Sequence, residues 1–216
     1  EQQKVELEIA RKKLEKEHGV NYIVNTLMES DEKIILIPVG PLTNIAMAIK
    51  LEPQIKEKIE KIILMGGSFS GGNATPYAEF NIFADPEAAH IVISSGVPVY
   101  TMGLDITNKT MPNAEIVNKI KSFNTKESDF LYQSLHFPKR YDENGNFLYH
   151  TLHDVVTLAY LIDESVIKLE KINCKIELKD INRYGETVRC NCNDSVDSKK
   201  EQKSFDIYTG KEIELE

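Results

Sequence analysis

Residues 66–90 read Gly66-Gly67-Ser68-Phe69-Ser70-Gly71-Gly72-Asn73-Ala74-Thr75-Pro76-Tyr77-Ala78-Glu79-Phe80-Asn81-Ile82-Phe83-Ala84-Asp85-Pro86-Glu87-Ala88-Ala89-His90. An apolar run, Ile62 to Met65, enters this stretch as a buried strand, and the glycine pairs that follow mark a turn. Asp85 and Pro86 then predict a helix start, because an aspartate suits the N-cap and the fixed φ of proline suits the first helical position. A strand, a polar loop and a helix in that order describe one repeat of an open α/β sheet. Ligands bind such sheets in the loops beyond the carboxyl ends of the strands. The loop carries Asn73, Glu79 and Asn81. One carboxylate between two amides suits a polyol, since each group holds a hydroxyl directionally. The same three residues could instead close local turns with the backbone.

Outward from this stretch the pattern repeats. Ile34 to Val39 predicts a strand covered on both faces, with Pro38 near its end where a missing donor is tolerated. Gly40-Pro41-Leu42-Thr43-Asn44 turns the chain into a helix over Ile45 to Leu51, with Thr43 or Asn44 as its cap. Upstream, Gly19 to Glu29 spaces Val20, Ile23, Val24, Leu27 and Met28 as the buried face of a helix. Residues 1–17 read as a charged, solvated helix with a modest apolar stripe. Downstream come a helix from Pro86 to about Ser95, a strand over Val99 to Met102, and the closing block Gly103-Leu104-Asp105-Ile106-Thr107.

Helices near Asn113 to Phe123 and Glu127 to His136 follow, then a polar turn at Asp142 to Asn146. An apolar helix runs from Leu152 to Ile162, opened by His153 and Asp154, and Ile172 to Leu178 and Glu186 to Arg189 read as late strands. The alternation implies an open, doubly wound, mostly parallel α/β sheet. Residues 1–190 make one domain on this reading, and residues 191–216 a polar, loosely ordered C-terminal tail.

The chain has 216 residues and a net charge of −8, with no basic stripe to neutralise phosphates, which argues against nucleic-acid binding. No apolar run approaches the roughly 20 residues that span a bilayer, and no secretory leader pattern opens the sequence. Cys174, Cys190 and Cys192 cannot all pair within one chain, and the last two stand closer than a C-x-x-C motif. Reduced thiols in a cytoplasmic protein are the expectation. No phosphate-binding loop, nucleophile elbow or zinc spacing occurs, and the glycine pairs do not form a dinucleotide fingerprint.

His153-Asp154 is the second constellation. Asp154 either caps its helix or presents a carboxylate where the helix N-terminus favours an anion. His153 is a credible proton donor if it faces a ligand, the role histidine most often takes in acid–base chemistry.

Taken in order, the blocks Val39-Gly40-Pro41-Leu42-Thr43-Asn44, Met65-Gly66-Gly67, Gly72-Asn73 with Thr75-Pro76, Ala78-Glu79-Phe80-Asn81, Ala84-Asp85-Pro86-Glu87-Ala88-Ala89, Gly103-Leu104-Asp105-Ile106-Thr107 and Leu152-His153-Asp154 resemble the inosine–uridine preferring nucleoside hydrolases. The resemblance covers roughly residues 16–190. It implies cleavage of the N-glycosidic bond of ribonucleosides by water, giving ribose and a free purine or pyrimidine base. It also implies a calcium ion at the carboxyl edge of the sheet, with the Thr43 carbonyl and the Asp154 carboxylate among its ligands. Asn73 and Glu79 would hold the 5′ end of the ribose, Asn81 its lower hydroxyls and Asp154 another, while His153 would protonate the departing base. Members of the family are commonly dimers or tetramers, so a homo-oligomer is expected.

The sequence also departs from the family pattern. The family opens with a strand ending in an aspartate-rich D-x-D-x-x-x-D-D motif, whereas no Asp here precedes Asp31. Val155 stands where the family usually has proline, and residues 191–216 do not match its closing helix. Thr43 and Asp154 alone fall well short of the roughly six to eight oxygens that calcium takes. The expectation is therefore a hydrolase fragment lacking its first strand, active only with an upstream segment. The alternative is a non-catalytic nucleoside- or ribose-binding module, or an inactive remnant. Base preference is assigned to the segment from Tyr132 to Tyr149, with Tyr141 and Phe147 as candidates.

Overall fold

The computed structural model describes residues 17–137, 139–190 and 204–213. The charged helix expected over residues 1–17 lies outside them, Glu17 aside. The first described helix, α1 (Gly19–Glu29), is capped by the His18 ring, which accepts the Val20 N–H. It buries Val20 and Leu27 and half-buries Ile23 and Val24, while Met28 stays exposed. Strand β1 (Ile34–Leu36) follows, and it is shorter than the predicted run to Val39. Pro38 cannot donate to a ladder, although its carbonyl still accepts the Met65 N–H at 3.0 Å. Among the described residues β1 stands at the edge of the sheet, and its residues are half-buried rather than sealed on both faces.

Helix α2 (Thr43–Leu51) and a 3₁₀ turn (Pro53–Lys58) lead to β2 (Ile59–Met65). The period of two along β2 divides its side chains between two cores. Ile62 and Leu64 join the larger cluster with Ile45, Ala89 and Val92, and Ile63 faces Met102, Val156 and Tyr160 on the other side. Burial of a side chain such as Ile63, fully shielded from water, stabilises the fold by about 1.5–3 kcal/mol. The two short helices α3 (Phe80–Ala84) and α4 (Pro86–Ile93) come next, then β3 (Val99–Met102) and α5 (Leu104–Thr107).

Helices α6 (Ala114–Ser122) and α7 (Lys126–Leu135) pack on each other and start at side-chain caps from Asn113 and Thr125. A hairpin of β4 (Arg140–Tyr141) and β5 (Phe147–Leu148) closes around the predicted polar turn. Helix α8 (Val155–Ile162) covers the Ile63 face of the sheet. The chain ends in β6 (Ile167–Ile176), β7 (Thr187–Arg189) and β8 (Phe205–Ile213).

The main sheet runs β1-β2-β3-β8-β6-β7. β1, β2, β3 and β8 are parallel neighbours, and β6 pairs antiparallel with both β8 and β7. The mostly parallel α/β expectation holds. The expectation of a loose tail after residue 190 does not, because β8 lies inside the sheet between β3 and β6. Ile207, Thr209 and Gly210 are buried there, and the Tyr208 ring stacks on Tyr100 at 4.7 Å. The polar run at 194–203 hides the short alternation Phe205, Ile207, Thr209 that carries the strand; residues 191–203 themselves lie outside the described part.

Cys174 is buried and Cys190 half-buried, and both are free thiols; Cys192 lies outside the described residues. Among the described residues no helix is long and apolar enough to cross a membrane.

Candidate active site

The loop after β2 and the loop after β3 leave the same edge of the sheet, since the two strands are parallel with Met65 opposite Met102. They touch directly. The Leu104 N–H donates to the Gly67 carbonyl at 3.0 Å, and the Thr101 hydroxyl donates to the Gly66 carbonyl. A β-carbon on Gly103 would stand 2.6 Å from the Gly67 carbonyl oxygen, so only glycine permits this approach.

Glu79 is the anchor of the first loop. It is only 3 % exposed, although it belongs to the polar loop. Its carboxylate replaces water with backbone donors. Oε1 accepts the Asn81 N–H at 2.9 Å, and Oε2 accepts Gly67 N–H at 3.0 Å and Ile82 N–H at 3.1 Å. Glu79 is thus the N-cap of α3 and ties that helix back to the end of β2.

Asn81 is buried and donates through Nδ2 to the Met65 carbonyl at 3.0 Å. Asn73 is exposed, and its Oδ1 accepts the Phe80 N–H at 2.9 Å. The structure therefore brings all three residues into one loop and one short helix. Each closes a local backbone bond, as the plainer reading of the sequence allowed. What they keep for a ligand is the Nδ2 amide of Asn73, the Oδ1 of Asn81 and the remaining lone pairs of Glu79.

The second half of the site hangs from the loop after β3. The Thr107 hydroxyl lies 2.8 Å from His153 Nδ1, and Thr107 is fully buried. Next to it, the Leu152 N–H donates to the Thr110 carbonyl and the Thr110 hydroxyl to the Leu152 carbonyl, both at 3.3 Å. His153 and Asp154 are thereby clamped to the same sheet edge as Gly67 and Glu79. Asp154 makes no capping hydrogen bond to α8, so the simple cap reading fails and its exposed carboxylate stays open to a ligand.

Upstream of this pair, Phe147 and Tyr149 pack around the His136 ring with centroids 5.2 Å from it, and Tyr141 meets Phe147 edge-on at 5.6 Å. The segment that leads into His153 is thus lined with rings.

Thr43 is placed differently from its expectation as a cap. Helix α2 begins at Thr43 itself, after Leu42, with no side-chain cap. The Thr43 hydroxyl donates to Asp85 Oδ2 at 2.6 Å, and Asp85 caps α4 through Ala88 N–H. As the first helical residue, Thr43 has its carbonyl aligned with the N–H groups of the next turn. Among the described residues no three Asp, Glu, His or Cys side chains gather as a cation site. These residues do not by themselves make up the six to eight oxygens that calcium takes.

Comparison with known proteins decides the relationship. Residues 2–214 match the inosine-uridine preferring nucleoside hydrolase family. The chain belongs to that family. It is 42 % identical over 175 residues to the pyrimidine-specific ribonucleoside hydrolase RihB of Escherichia coli, covering 81 % of this chain and 56 % of that protein. A protein of Shigella dysenteriae described as a putative pyrimidine-specific ribonucleoside hydrolase RihB matches at 42 % identity over 81 % of this chain and 65 % of its own length. The chain therefore spans less than two thirds of these relatives.

Among solved structures, a plant nucleoside hydrolase superposes with a TM-score of 0.79 at 26 % identity, over 92 % of this chain and 63 % of that one. A purine-preferring ribonucleoside hydrolase from Gardnerella vaginalis gives 0.73 at 29 % identity, over 92 % and 62 %.

Sequence reasoning missed Thr107. The Gly103–Thr107 block was visible as the close of a strand, but nothing in one dimension pairs it with a histidine 46 positions away.

Proposed function

We propose that this chain forms the sugar- and base-facing edge of a ribonucleoside hydrolase, which breaks the bond between the anomeric carbon and the base nitrogen. The electron pair of that bond leaves with the base, which takes a proton from the imidazolium form of His153, while water adds to the anomeric carbon and gives up one proton to solvent. His153 acts as the general acid, work typically worth about 10²- to 10⁴-fold in rate. Asn73, Asn81 and Asp154 hold ribose hydroxyls, and Glu79 fixes the loop that presents the two amides. As positive charge develops on the ribose ring, the Asp154 carboxylate lowers its energy.

One observation carries this reading. The two polar loops are joined at a single sheet edge through Gly67 and Leu104, with His153 secured to the same edge by Thr107. Calcium belongs to the proposal only as a group the wider family site would hold, with Asp154 the open carboxylate this chain offers it and the Thr43 carbonyl set into a helix. Cytoplasmic location and a homo-oligomer belong to the same proposal. Pyrimidine ribonucleosides are the substrates to try first, since the RihB relatives carry that specificity in their names. Tyr141 and Phe147 are the residues expected to face the base.

A second reading, a ribose- or nucleoside-binding module without turnover, is favoured by the missing acid cluster among the described residues. Ribose release from uridine and inosine, with and without calcium, separates the two. Calcium-dependent release that His153→Ala lowers at least tenfold supports the hydrolase. Saturable nucleoside binding without release supports the module.

A further inference from the structure

A cavity of about 310 Å³ opens where the loops after β2 and β3 meet the end of β8. None of Asn73, Glu79, Asn81, His153 or Asp154 lines it. Its walls carry five charged side chains, Asp105, Lys109, Glu170, Arg189 and Lys211, together with the ring of Phe69.

The two acids are already engaged. Glu170 takes the Arg189 guanidinium as a fork, at 3.2 and 3.1 Å, and Asp105 Oδ2 accepts the Phe69 N–H at 2.9 Å. The guanidinium also lies over the Phe69 ring, 5.7 Å from its centroid. It is thus fixed on two sides, while its remaining N–H donors stand outside the fork. The lysines differ. Lys211 acts on Glu170 through space alone, and among the described residues neither the Lys109 nor the Lys211 ammonium has a hydrogen-bond partner. Three cations therefore face two acids, in a chain whose net charge is −8. A positive excess with two unpaired ammonium groups suits a small dianion, since each ammonium acts as a point charge.

Gly210 explains how the lysines meet. A β-carbon there would stand 2.5 Å from Ile106 Cγ1, so glycine lets α5 seat on β8. That seating brings Lys109, two residues past α5, to the same cavity as Lys211, the residue after Gly210.

We propose that this cavity binds the phosphate group of a small molecule, with Lys109 and Lys211 as its charge partners and Arg189 as a fixed donor in the wall. Free phosphate and a small sugar phosphate present the same chemistry to these groups. The volume stands at the small end of ligand pockets, which run from about 300 to 1,000 Å³. The assignment goes beyond the hydrolase reading and asks nothing of His153 or of calcium.

The test titrates the ¹⁵N-labelled 216-residue chain with inorganic phosphate and, separately, with ribose 5-phosphate, at an ionic strength held constant with chloride. At about pH 7.5 both probes are mostly dianionic. The amide signals of Phe69, Ser70, Lys109, Gly210 and Lys211 should move together with a single dissociation constant, millimolar or tighter, while those of α6 and α7 stay in place. Lys109→Gln and Lys211→Gln should each weaken binding about fivefold or more, and the double variant should abolish it. Lys119→Gln, which removes one charge from the exposed side of α6, should leave the affinity within about twofold of the parent. A ligand that binds only the folded form stabilises it, so phosphate should raise the melting temperature of the parent and not of the double variant.

Tighter binding of ribose 5-phosphate than of phosphate assigns the cavity to a sugar ester, and equal or weaker binding assigns it to free phosphate. No movement of these signals with either probe, movement centred elsewhere, or unchanged affinity in the double variant would overturn the proposal. Equal weakening by Lys119→Gln would overturn it too, as the mark of general charge attraction.

Discussion

The carboxylate of Glu79 accepts the Gly67 N–H at 3.0 Å, joining the first residue pair after β2 to the cap of α3. Through that bond a buried acid ties together two ends of a loop that stand 12 positions apart in sequence. Removing it leaves three backbone donors, on Gly67, Asn81 and Ile82, without their acceptor in a site that water barely reaches. Glu79→Ala should cost about 3–5 kcal/mol, read as a lowered urea midpoint. Glu79→Gln should cost less, because it keeps one acceptor oxygen and the same volume.

The close approach of the two loops makes a second prediction. Gly103→Ala places a methyl group 2.6 Å from the Gly67 carbonyl oxygen, which is backbone and cannot swing aside. A loss of about 2–4 kcal/mol is expected. Gly40→Ala is the control, since nothing lies within 4 Å of its would-be β-carbon; its stability should stay within about 0.5 kcal/mol of the parent. Thermal unfolding of the two variants side by side tests the contrast.

Burial pushes the Cys174 thiol up to about 12, with the nearby Cys190 adding to the shift. At pH 8 the thiolate fraction of Cys174 is then only about 10⁻⁴. In a Cys192→Ser background, an aromatic disulfide reagent should label Cys190 quickly and Cys174 only on unfolding. The same raised value means the fold is not penalised by Cys174 below pH 8.5 or so, and loses stability as pH rises from there toward 12.

His90 gives the opposite sign. Burial first, and the charge of Lys50 second, hold its imidazole below the ordinary value, and its ring meets Phe205 edge-on at 5.7 Å. A depressed folded value means that the contribution is present above about pH 6.5 and is lost as pH falls through the folded value. His90→Gln should therefore reduce the drop in urea midpoint between pH 7.5 and 5.5. The change should be a fraction of a kcal/mol, because the half-buried ring is partly screened.

Much of this arrangement was legible before any coordinates. The Asp85-Pro86 signal located the start of α4 to the residue, and the apolar run at Ile62 located the core of β2. Asn113 and the Val99–Met102 strand were equally plain. Local chemistry wrote these features, so local reading recovered them. β8 was missed because a strand completed by partners more than 30 positions away needs only a brief apolar alternation of its own. Thr43 was misread as a cap because its partner, Asp85, lies 42 positions on. The roles of Glu79 and Thr107 likewise depend on bonds to Gly67 and His153 that no spacing rule encodes.

The measurement closest to the central claim is a titration of the ¹⁵N-labelled chain with uridine, following its amide signals. If one site spans both loops, the signals of Asn73, Asn81, His153 and Asp154 should move together with a single dissociation constant, while those of α1 and β7 stay in place. Movement confined to one loop, movement centred elsewhere, or no movement at millimolar uridine would contradict it.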